Sequence, residues 1–303
     1  MSVEPQLAGR TEPSAGEPGA RYDVLGVRVG VSSVLPSALD LIDGSYGPFR
    51  VAVGGDTDAG IELRASTVRS GGFEVVAADR SIRAWATSTG AALDLLEQLV
   101  MAIVSGLHRR GLYGIHAAAL GHRGRSLILV GDSGSGKTTL ALALAARGLE
   151  LLSDELAVLD PQTGEIHPYP RHVHVRPGTP ELVTGLEPIA RLPPRELGGG
   201  IAWSLERDAV GRAGTVPRPL GWILLLEPRP ATRRRPQLRE VGGGLAAMRV
   251  LRGTWAASVD FEGSLAIIGR CVAGLPAASV IAGQPMETAD AIIGWLDAHD
   301  ADA

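Results

Sequence analysis

Residues 131–155 read GDSGSGKTTLALALAARGLELLSDE, and they contain Lys137, the only lysine of the chain. The first eight positions fit the pattern G-x-x-x-x-G-K-[ST], in which a glycine-rich loop joins a strand to a helix. The apolar run SLILV before the loop predicts that strand, and the alanine- and leucine-rich run after it predicts the helix. The stretch therefore predicts a phosphate-binding loop, because converging backbone N–H groups and a helix N-terminus attract anions.

We expect this loop to bind ATP together with Mg²⁺. The compact ammonium of Lys137 would bridge the outer phosphates, and the Thr138 hydroxyl would ligate the metal. The residues predicted to contact the nucleotide are Gly131, Asp132, Ser133, Gly134, Ser135, Gly136, Lys137, Thr138 and Thr139. The alternative is a glycine-rich turn without a ligand, which would not require lysine and threonine in register.

Two adjacent acidic residues, Asp154 and Glu155, begin only seventeen positions after Lys137. Beside a bound triphosphate, one carboxylate can hold the metal while the other accepts the proton of an attacking hydroxyl. We predict Asp154 as the base and Glu155, with Thr138, as a metal ligand, although the two roles can be exchanged. The alternative is an exposed Ser-Asp-Glu turn, but LELLSDELAVLD predicts a strand that is bent or interrupted near Ser153 and continues through LAVLD.

A histidine, His116, precedes the loop by fifteen residues in the small-residue run GIHAAAL. A predicted hairpin pairs this run with the strand that enters the loop, which would bring His116 close to Asp154. An imidazole there would orient the carboxylate and adjust its pKa. The predicted catalytic residues are therefore His116, Lys137, Asp154 and Glu155, and a packed core histidine is the alternative for His116.

Taken together, H-x14-GDSGSGKT, a helix ending in Arg-Gly and the following LLSDE resemble the core of bacterial HPr serine kinase/phosphorylase. The nucleotide core of that family is similar to that of phosphoenolpyruvate carboxykinase. The resemblance covers about residues 112–160 and weakens toward Arg176. It implies transfer of the ATP γ-phosphate to a serine hydroxyl, with His116 and Asp154 at the catalytic histidine and first acid, and Glu155 replacing a second aspartate.

Outside this core the chain departs from the family pattern. A G-R-N-type signature is missing downstream, and the N-terminal half does not resemble the usual regulatory domain. The chain looks more like the divergent HPr-kinase-like proteins found beside lasso-peptide genes, which phosphorylate a precursor peptide on a serine at or near its C-terminus. The implied partner is a peptide or small protein bearing a serine. A nucleotide-dependent switch or ATPase, an inactive nucleotide-sensing scaffold, and an HPr kinase of carbon regulation are the alternatives.

The composition excludes several classes of partner. A formal net charge of −4 gives no general attraction to nucleic acid or to anionic membranes. The single cysteine cannot form an intrachain disulfide, which favours a reducing compartment. No apolar run reaches the ~18–20 residues that span a bilayer. We therefore predict a cytoplasmic protein without nucleic-acid or membrane partners, and a homo-oligomer is left open.

The periodicity predicts an α/β fold (an α+β mixed sheet) with an HPr kinase/PEP-carboxykinase-like P-loop core and a β-rich N-terminal region. Residues 1–20 indicate a disordered lead, residues 21–110 a β-rich region that ends in a helix, and residues 111–303 the kinase domain. Residues 177–218 are rich in Pro, Gly and Arg, and we expect a loop with one weak strand at IAWSL.

The alternating segment PRHVHVRP predicts a strand with His172, His174 and Arg176 on one face. Arg171, His174 and Arg176 are candidates for holding a phosphate or a substrate carboxylate, because guanidinium groups suit both. An ordinary solvated face is the alternative. A zinc site at His172 and His174 would lack nearby cysteine ligands.

Overall fold

The structure, a computed structural model, describes residues 19–52, 56–65, 71–77, 87–197, 200–228 and 235–300. Most of the predicted N-terminal lead lies outside these ranges. The run SIRAWATS at residues 81–88, which the sequence predicts as one of the N-terminal strands, also lies mostly outside them. Within the described ranges the strands form sheets of five, nine and three strands, and six α-helices flank them. The prediction of an α/β fold with a mixed sheet is confirmed.

The N-terminal region is a small sheet covered by two helices. Its elements are β1 (Gly19–Val24), β2 (Val27–Ser33), α1 (Pro36–Tyr46), β3 (Arg50–Val51), β4 (Ala59–Ala65), β5 (Phe73–Ala77) and α2 (Ser88–Arg109). The run YDVLGVRVGV forms a hairpin, because Leu25 and Gly26 have φ values of 52° and 84° that reverse the chain. The β-rich prediction missed α1, which buries Leu39 and Ile42 at helical spacing.

Helix α2 forms the apolar wall of this region. Leu95, Leu99 and Ile103 are fully buried, as their spacing predicts, and α2 packs against β2, β4 and β5. The core of the N-terminal sheet continues past residue 110 into Leu156 and Val158. Among the described helices, α2 alone is long and apolar enough to cross a membrane. Half of its most apolar window is buried in the protein, as in a core helix.

The central sheet contains the predicted phosphate loop. The elements after α2 are β6 (Tyr113–His122), β7 (Arg125–Val130), α3 (Lys137–Ala146), β8 (Glu150–Ser153), β9 (Leu156–Asp160), β10 (Glu165–His167), β11 (Val173–Val175), β12 (Arg195–Leu197), β13 (Gly200–Leu205), β14 (Arg212–Ala213), β15 (Arg218–Leu226), β16 (Gln237–Glu240), α4 (Gly243–Arg252), α5 (Phe261–Val272), β17 (Ala277–Ile281) and α6 (Pro285–Asp300). The parallel partners of β15 are β7 and β17, whereas β6 is antiparallel to β7, β8 and β9.

Strand β6 organises the central sheet. One edge pairs with β7, and the other pairs with β8 at Ala119 and with β9 at His116. Strands β8 and β9 thus continue one another along β6, and the chain leaves the ladder only at Asp154 and Glu155. Strand β9 also pairs with β10, β10 pairs with β15, and β15 pairs with β7. Because β7 in turn pairs with β6, these strands form a closed ring of pairings. The bend expected near Ser153 is therefore present.

The segment 177–218 is a loop in part only. Strand β13, which contains the predicted IAWSL strand, pairs with β11 and β12 in the small sheet. Val173, Val175 and Trp203 are buried and join the core around α3. The strand at IAWSL is therefore confirmed, whereas the short strands β12 and β14 were not predicted.

A substitution in α2 measures how strongly the N-terminal sheet depends on this helix. Leu95→Ala removes a fully buried side chain and should lower the free energy of unfolding by about 2–5 kcal/mol. Leu93→Ala, on the same helix but 39% exposed, is the matched control and should change it by less than ~1 kcal/mol. Urea denaturation followed by circular dichroism measures both. Equal losses in the two variants would contradict the observed orientation of α2.

Candidate functional site

The predicted loop connects β7 to α3 as expected. Gly134 and Gly136 have φ values of 79° and 96°, a left-handed conformation that glycine adopts without strain. A Cβ atom on Gly131 would lie 2.8 Å from Ser135 Oγ and 3.0 Å from Leu226 O, so the loop is tightly wound. Because α3 begins at Lys137, its first unpaired N–H groups face the loop. This arrangement suits an anion.

The Lys137 side chain folds back over the loop. Its Nζ atom donates hydrogen bonds to the carbonyl oxygens of Gly131 at 2.7 Å and Asp132 at 3.2 Å, and it lies 3.2 Å from His116 Nε2. The residue is buried. Burial lowers the pKa of Lys137, and the carboxylates of Glu155 and Asp132 oppose only part of this shift. The only lysine of the chain is therefore enclosed at the loop.

His116 lies beside this ammonium group. Burial, and secondly the Lys137 charge, lower the pKa of His116, so the ring is neutral at pH 7 and accepts at Nε2. The carboxylate whose charge raises the pKa of His116 is that of Glu155. His116 pairs with Leu156 across the two strands, one residue beyond the acidic pair. His116 therefore lies near the acidic pair, and its closeness to Asp154 in particular stays a prediction.

The two acidic residues have different environments. Asp154 is buried, whereas the side chain of Glu155 is 47% exposed. The Arg171 guanidinium binds both, with Nη1 2.6 Å from Glu155 Oε2 and Nη2 3.4 Å from Asp154 Oδ1. Burial raises the pKa of Asp154, and Arg171 opposes part of this rise. Arg171 lowers the pKa of Glu155, which stays ionised.

Two buried tyrosines, one of them from the N-terminal region, interact electrostatically with the Arg171 guanidinium. Tyr46 is the last residue of α1, and the Tyr169 hydroxyl donates to the Tyr46 hydroxyl at 3.3 Å. Both tyrosines act electrostatically on Arg171, and burial raises the pKa of Tyr46 to about 12. The cation that holds the acidic pair is therefore coupled electrostatically to the N-terminal region.

The three predicted substrate residues have different environments. Arg171 is buried against the acidic pair, so it holds carboxylates of the protein itself. His174 Nε2 lies 2.7 Å from the Ser45 hydroxyl of α1, and burial, with Arg171 second, lowers the pKa of His174 to about 3. Arg176 is exposed at the end of β11. Their role toward a substrate stays a prediction.

A cleft of about 520 Å³ opens beside the start of the loop. Its walls come from β6, α2, the loop and the segment that follows α4, and the lining residues are Met101, His116, Val130, Gly131, Asp132, Ser133, Arg249, Arg252, Gly253, Thr254, Trp255 and Ser258. The His116 N–H donates to Gly253 O at 2.7 Å, which fixes this segment against β6. The cleft therefore brings His116 and the first loop residues to one concave surface.

The loop and its neighbours fit a nucleotide with Mg²⁺. Within the described ranges, the buried Ser135 Oγ has no hydrogen-bond partner, and no atom lies within 4 Å of a Cβ built on Gly134 or Gly136. The Thr138 hydroxyl and the Glu155 carboxylate are hard oxygen donors that suit Mg²⁺. The Thr139 hydroxyl instead lies 3.2 Å from that of Thr179.

A metal site built from protein side chains alone is not seen. Among the described residues, no group of three or more His, Cys, Asp or Glu side chains could hold a metal ion, including at His172 and His174. Mg²⁺ commonly takes only one or two protein ligands and completes its shell with water and phosphate oxygens. The donor set therefore fits Mg²⁺ better than zinc.

The sequence prediction missed Arg249, Arg252 and Trp255, which line the cleft. The two arginines are three positions apart near the end of α4, so they share one helix face. Arg249 binds both oxygens of Glu227 at 2.8–2.9 Å, while Arg252 lies 3.7 Å from Asp132 of the loop. The MRVLRGTW run carries this spacing, but its position beside the loop depends on tertiary contacts.

Loss of the buried guanidinium should destabilise the protein in a pH-dependent way. Arg171→Gln leaves the buried Asp154 without its cation and should cost about 3 kcal/mol of unfolding free energy at neutral pH. Because its folded pKa is depressed, Glu155 contributes stability above its unfolded pKa of 4.5, and this contribution is lost as the pH falls through the folded pKa. The deficit of the variant should therefore shrink in acid.

Urea denaturation between neutral and acidic pH tests this prediction, with the exposed Arg176→Gln as the matched control. The control should follow the wild type at every pH. A deficit of Arg171→Gln that is the same at all pH values would contradict the role of the two carboxylates.

Comparison with known proteins finds only remote likeness. No family model matches the chain, and no curated protein matches it. Solved structures do match, in 43 chains. One is the HPr(Ser) kinase/phosphatase from Coxiella burnetii, which is 14% identical and covers 62% of this chain and 98% of its own, with a TM-score of 0.28. This chain is distantly similar to that protein, and its activity has to be argued from its own residues.

Proposed function

We propose that the protein is an ATP-dependent serine kinase that transfers the γ-phosphate to a hydroxyl of a peptide or small protein. One observation carries the proposal: Lys137 of the loop, the neutral His116 and the acidic pair form a single cluster, with Lys137 Nζ 3.2 Å from His116 Nε2. A loop that only bound phosphate would need neither the imidazole nor two adjacent carboxylates.

The loop residues bind and orient the nucleotide in this proposal. The amides at the start of α3 and the Lys137 ammonium hold the phosphates. Thr138 and the ionised Glu155 hold Mg²⁺, which neutralises charge on the transferred phosphate when it is bound. Glu155 suits this role because its pKa is lowered and its side chain is half exposed.

Asp154 is the proposed proton acceptor. Burial raises the pKa of this carboxyl above its usual value, which brings it closer to the range of a general base. The acceptor hydroxyl loses its proton to this carboxylate, its oxygen bonds to the γ-phosphorus, and the bond to ADP breaks. His116, which lines the cleft, lies beside the acceptor and stays neutral.

The acceptor we propose is a ribosomally made precursor peptide of the lasso type. Its support is the sequence resemblance around residues 112–160 combined with the missing G-R-N-type signature, which argues against HPr as the acceptor. The net charge of −4 and the single cysteine support a cytoplasmic enzyme without nucleic-acid or membrane partners. A homo-oligomer is compatible with the proposal.

A nucleotide-dependent switch or ATPase is the second candidate. One observation favours it: the half-exposed Glu155 side chain lets water reach the cluster. In that case the phosphate is transferred only to water. The fate of the γ-phosphate separates the two functions.

The Asp154→Asn variant should bind a fluorescent ATP analogue like the wild type but transfer labelled γ-phosphate at least ~100-fold more slowly, because it lacks the base. The control is Asp160→Asn, since Asp160 caps a turn at the far end of β9 through Gln162 N. Single-turnover reactions resolved into inorganic phosphate and labelled peptide measure the rate. Transfer by Asp154→Asn at the wild-type rate would remove Asp154 from the base role, and label found only in inorganic phosphate would favour the ATPase.

Because Lys137 is the only lysine, a chemical label can report directly on the loop. A sulfonyl fluoride analogue of adenosine should modify Lys137, and excess ATP with Mg²⁺ should protect it. Burial lowers the pKa of this amine, which increases the fraction that is nucleophilic at pH 8. Peptide mass spectrometry separates this site from the terminal amine. Modification that ATP does not reduce would contradict nucleotide binding at the loop.

A further inference from the structure

The outer surface of α4 and the start of α5 expose an unusual number of large apolar side chains. Leu245 and Met248 on α4 are 53% and 50% exposed, and Val259 and Phe261 are more exposed than buried on either side of the α5 N-cap. Isolated exposed apolar residues are normal, but several on adjoining elements indicate a contact surface. We call these four residues the α4 surface.

The α4 surface adjoins the cleft beside the loop. Leu245 and Met248 each precede a cleft-lining arginine, Arg249 or Arg252, by four positions, so each lies one helical turn from it on the same face. Helix α4 also packs against α5 and the short helix Trp255–Ser258, whose ends line the cleft. The exposed apolar residues therefore stand on the elements that form the cleft wall.

The cleft opens on the side of the loop that suits an acceptor. It is lined by the first loop residues, Gly131 to Ser133, and by His116, whereas the start of α3 at Lys137 and Thr138 does not line it. A phosphate held at the start of α3 would lie on one side of the loop, and a hydroxyl in the cleft would approach from the other. The cleft is consequently better placed for the acceptor than for the nucleotide.

We propose that the α4 surface docks the polypeptide acceptor of the kinase and that Arg252 recognises an acidic residue next to its serine. This inference rests on the proposed function and names the substrate class for the same site. The acceptor segment lies across α4 with apolar side chains on Leu245 and Met248, while its serine enters the cleft beside His116.

The charges of the cleft favour an acidic residue near the serine. Its lining includes two arginines and one acid, Asp132. Arg249 is already bound to both oxygens of Glu227. Arg252 is 71% exposed, and among the described residues its ion pair is a 3.7 Å contact with Asp132, a type of surface pair that contributes little. Arg252 is therefore the cation that an incoming carboxylate can engage.

The surroundings of the cleft favour a polypeptide over a small molecule. The cleft has a volume of about 520 Å³, and the exposed side chains of Leu245 and Met248 lie beyond it on α4. A metabolite confined to the cleft would leave these side chains in water. An extended chain covers both, and burial of apolar area supplies affinity outside the reacting group.

A peptide library with a fixed central serine and degenerate flanks tests the proposal, with Mg²⁺ and γ-labelled ATP as the donor. The wild type should select apolar residues on one side of the serine and Asp or Glu beside it. Leu245→Asp should reduce labelling of the selected peptides about tenfold through KM, as loss of one good contact does. Arg252→Glu should reverse the preference from acidic to basic neighbours.

The matched control is Leu192→Asp, because Leu192 is also 53% exposed but follows the short helix Ile189–Arg191, away from α4. The Leu192→Asp variant should phosphorylate the same peptides at the wild-type rate. Titration with a fluorescent ATP analogue, run in parallel, checks that every variant still binds nucleotide.

The outcomes separate the two proposals. If Leu245→Asp and Arg252→Glu phosphorylate the peptides like the wild type, the proposed docking surface is overturned. The proposed kinase function would still stand in that case. Label that reaches water but no peptide would overturn the kinase function and the docking surface with it. Sedimentation that shows a wild-type dimer and a Leu245→Asp monomer would identify a second copy of the chain as the occupant and would also overturn the docking proposal.

Discussion

A buried guanidinium, Arg171, lies between the adjacent carboxylates of Asp154 and Glu155, and the rest of the site depends on this contact. Without it, a buried Asp154 beside a second carboxylate would be strongly unfavourable in its ionised form. The contact also joins three parts of the fold, because Arg171 precedes β11, the acids lie between β8 and β9, and Tyr46 of α1 interacts electrostatically with the cation. The position of the acids therefore reflects the packing of the whole chain.

A second constraint on the site is that β8 and β9 both pair with the same edge of β6. Because both strands continue along one partner, a short helix and a tight return suffice to bring Asp154 and Glu155 near the loop. The same register places His116 opposite Leu156, directly after the acidic pair. The interruption between β8 and β9 thus gives the two neighbouring carboxylates different surroundings. Asp154 is buried and has a raised pKa, whereas Glu155 is half exposed and has a lowered pKa.

The cleft distinguishes two sides of the phosphate loop. The tightly wound glycine turn and the start of α3 form the side that suits phosphate, while His116 and the segment after α4 form the other. The backbone bond from His116 N to Gly253 O fixes the distance between the imidazole and the arginine-bearing helix. A donor and an acceptor can therefore occupy opposite sides of one loop.

Local patterns in the sequence predicted the mixed α/β class, the loop between β7 and α3, the apolar stripe of α2 and the bend near Ser153. Each of these is set by near neighbours in the chain, through glycine conformations and the spacing of apolar side chains. The same patterns missed α1 and the short strand β14 within residues 177–218. Partners from distant segments stabilise both elements, and such partners leave no local signal.

The sequence by itself determined which residue types are present for phosphate and proton chemistry, since Lys137, Thr138, Asp154 and Glu155 occupy one short stretch. Only the tertiary structure decided how they are used. It turned Arg171 inward as the partner of the acids, set His116 against Lys137, and brought Arg252 to the loop across more than a hundred residues. The physical reason is that burial and charge proximity shift pKa values, and both depend on which distant segments pack together.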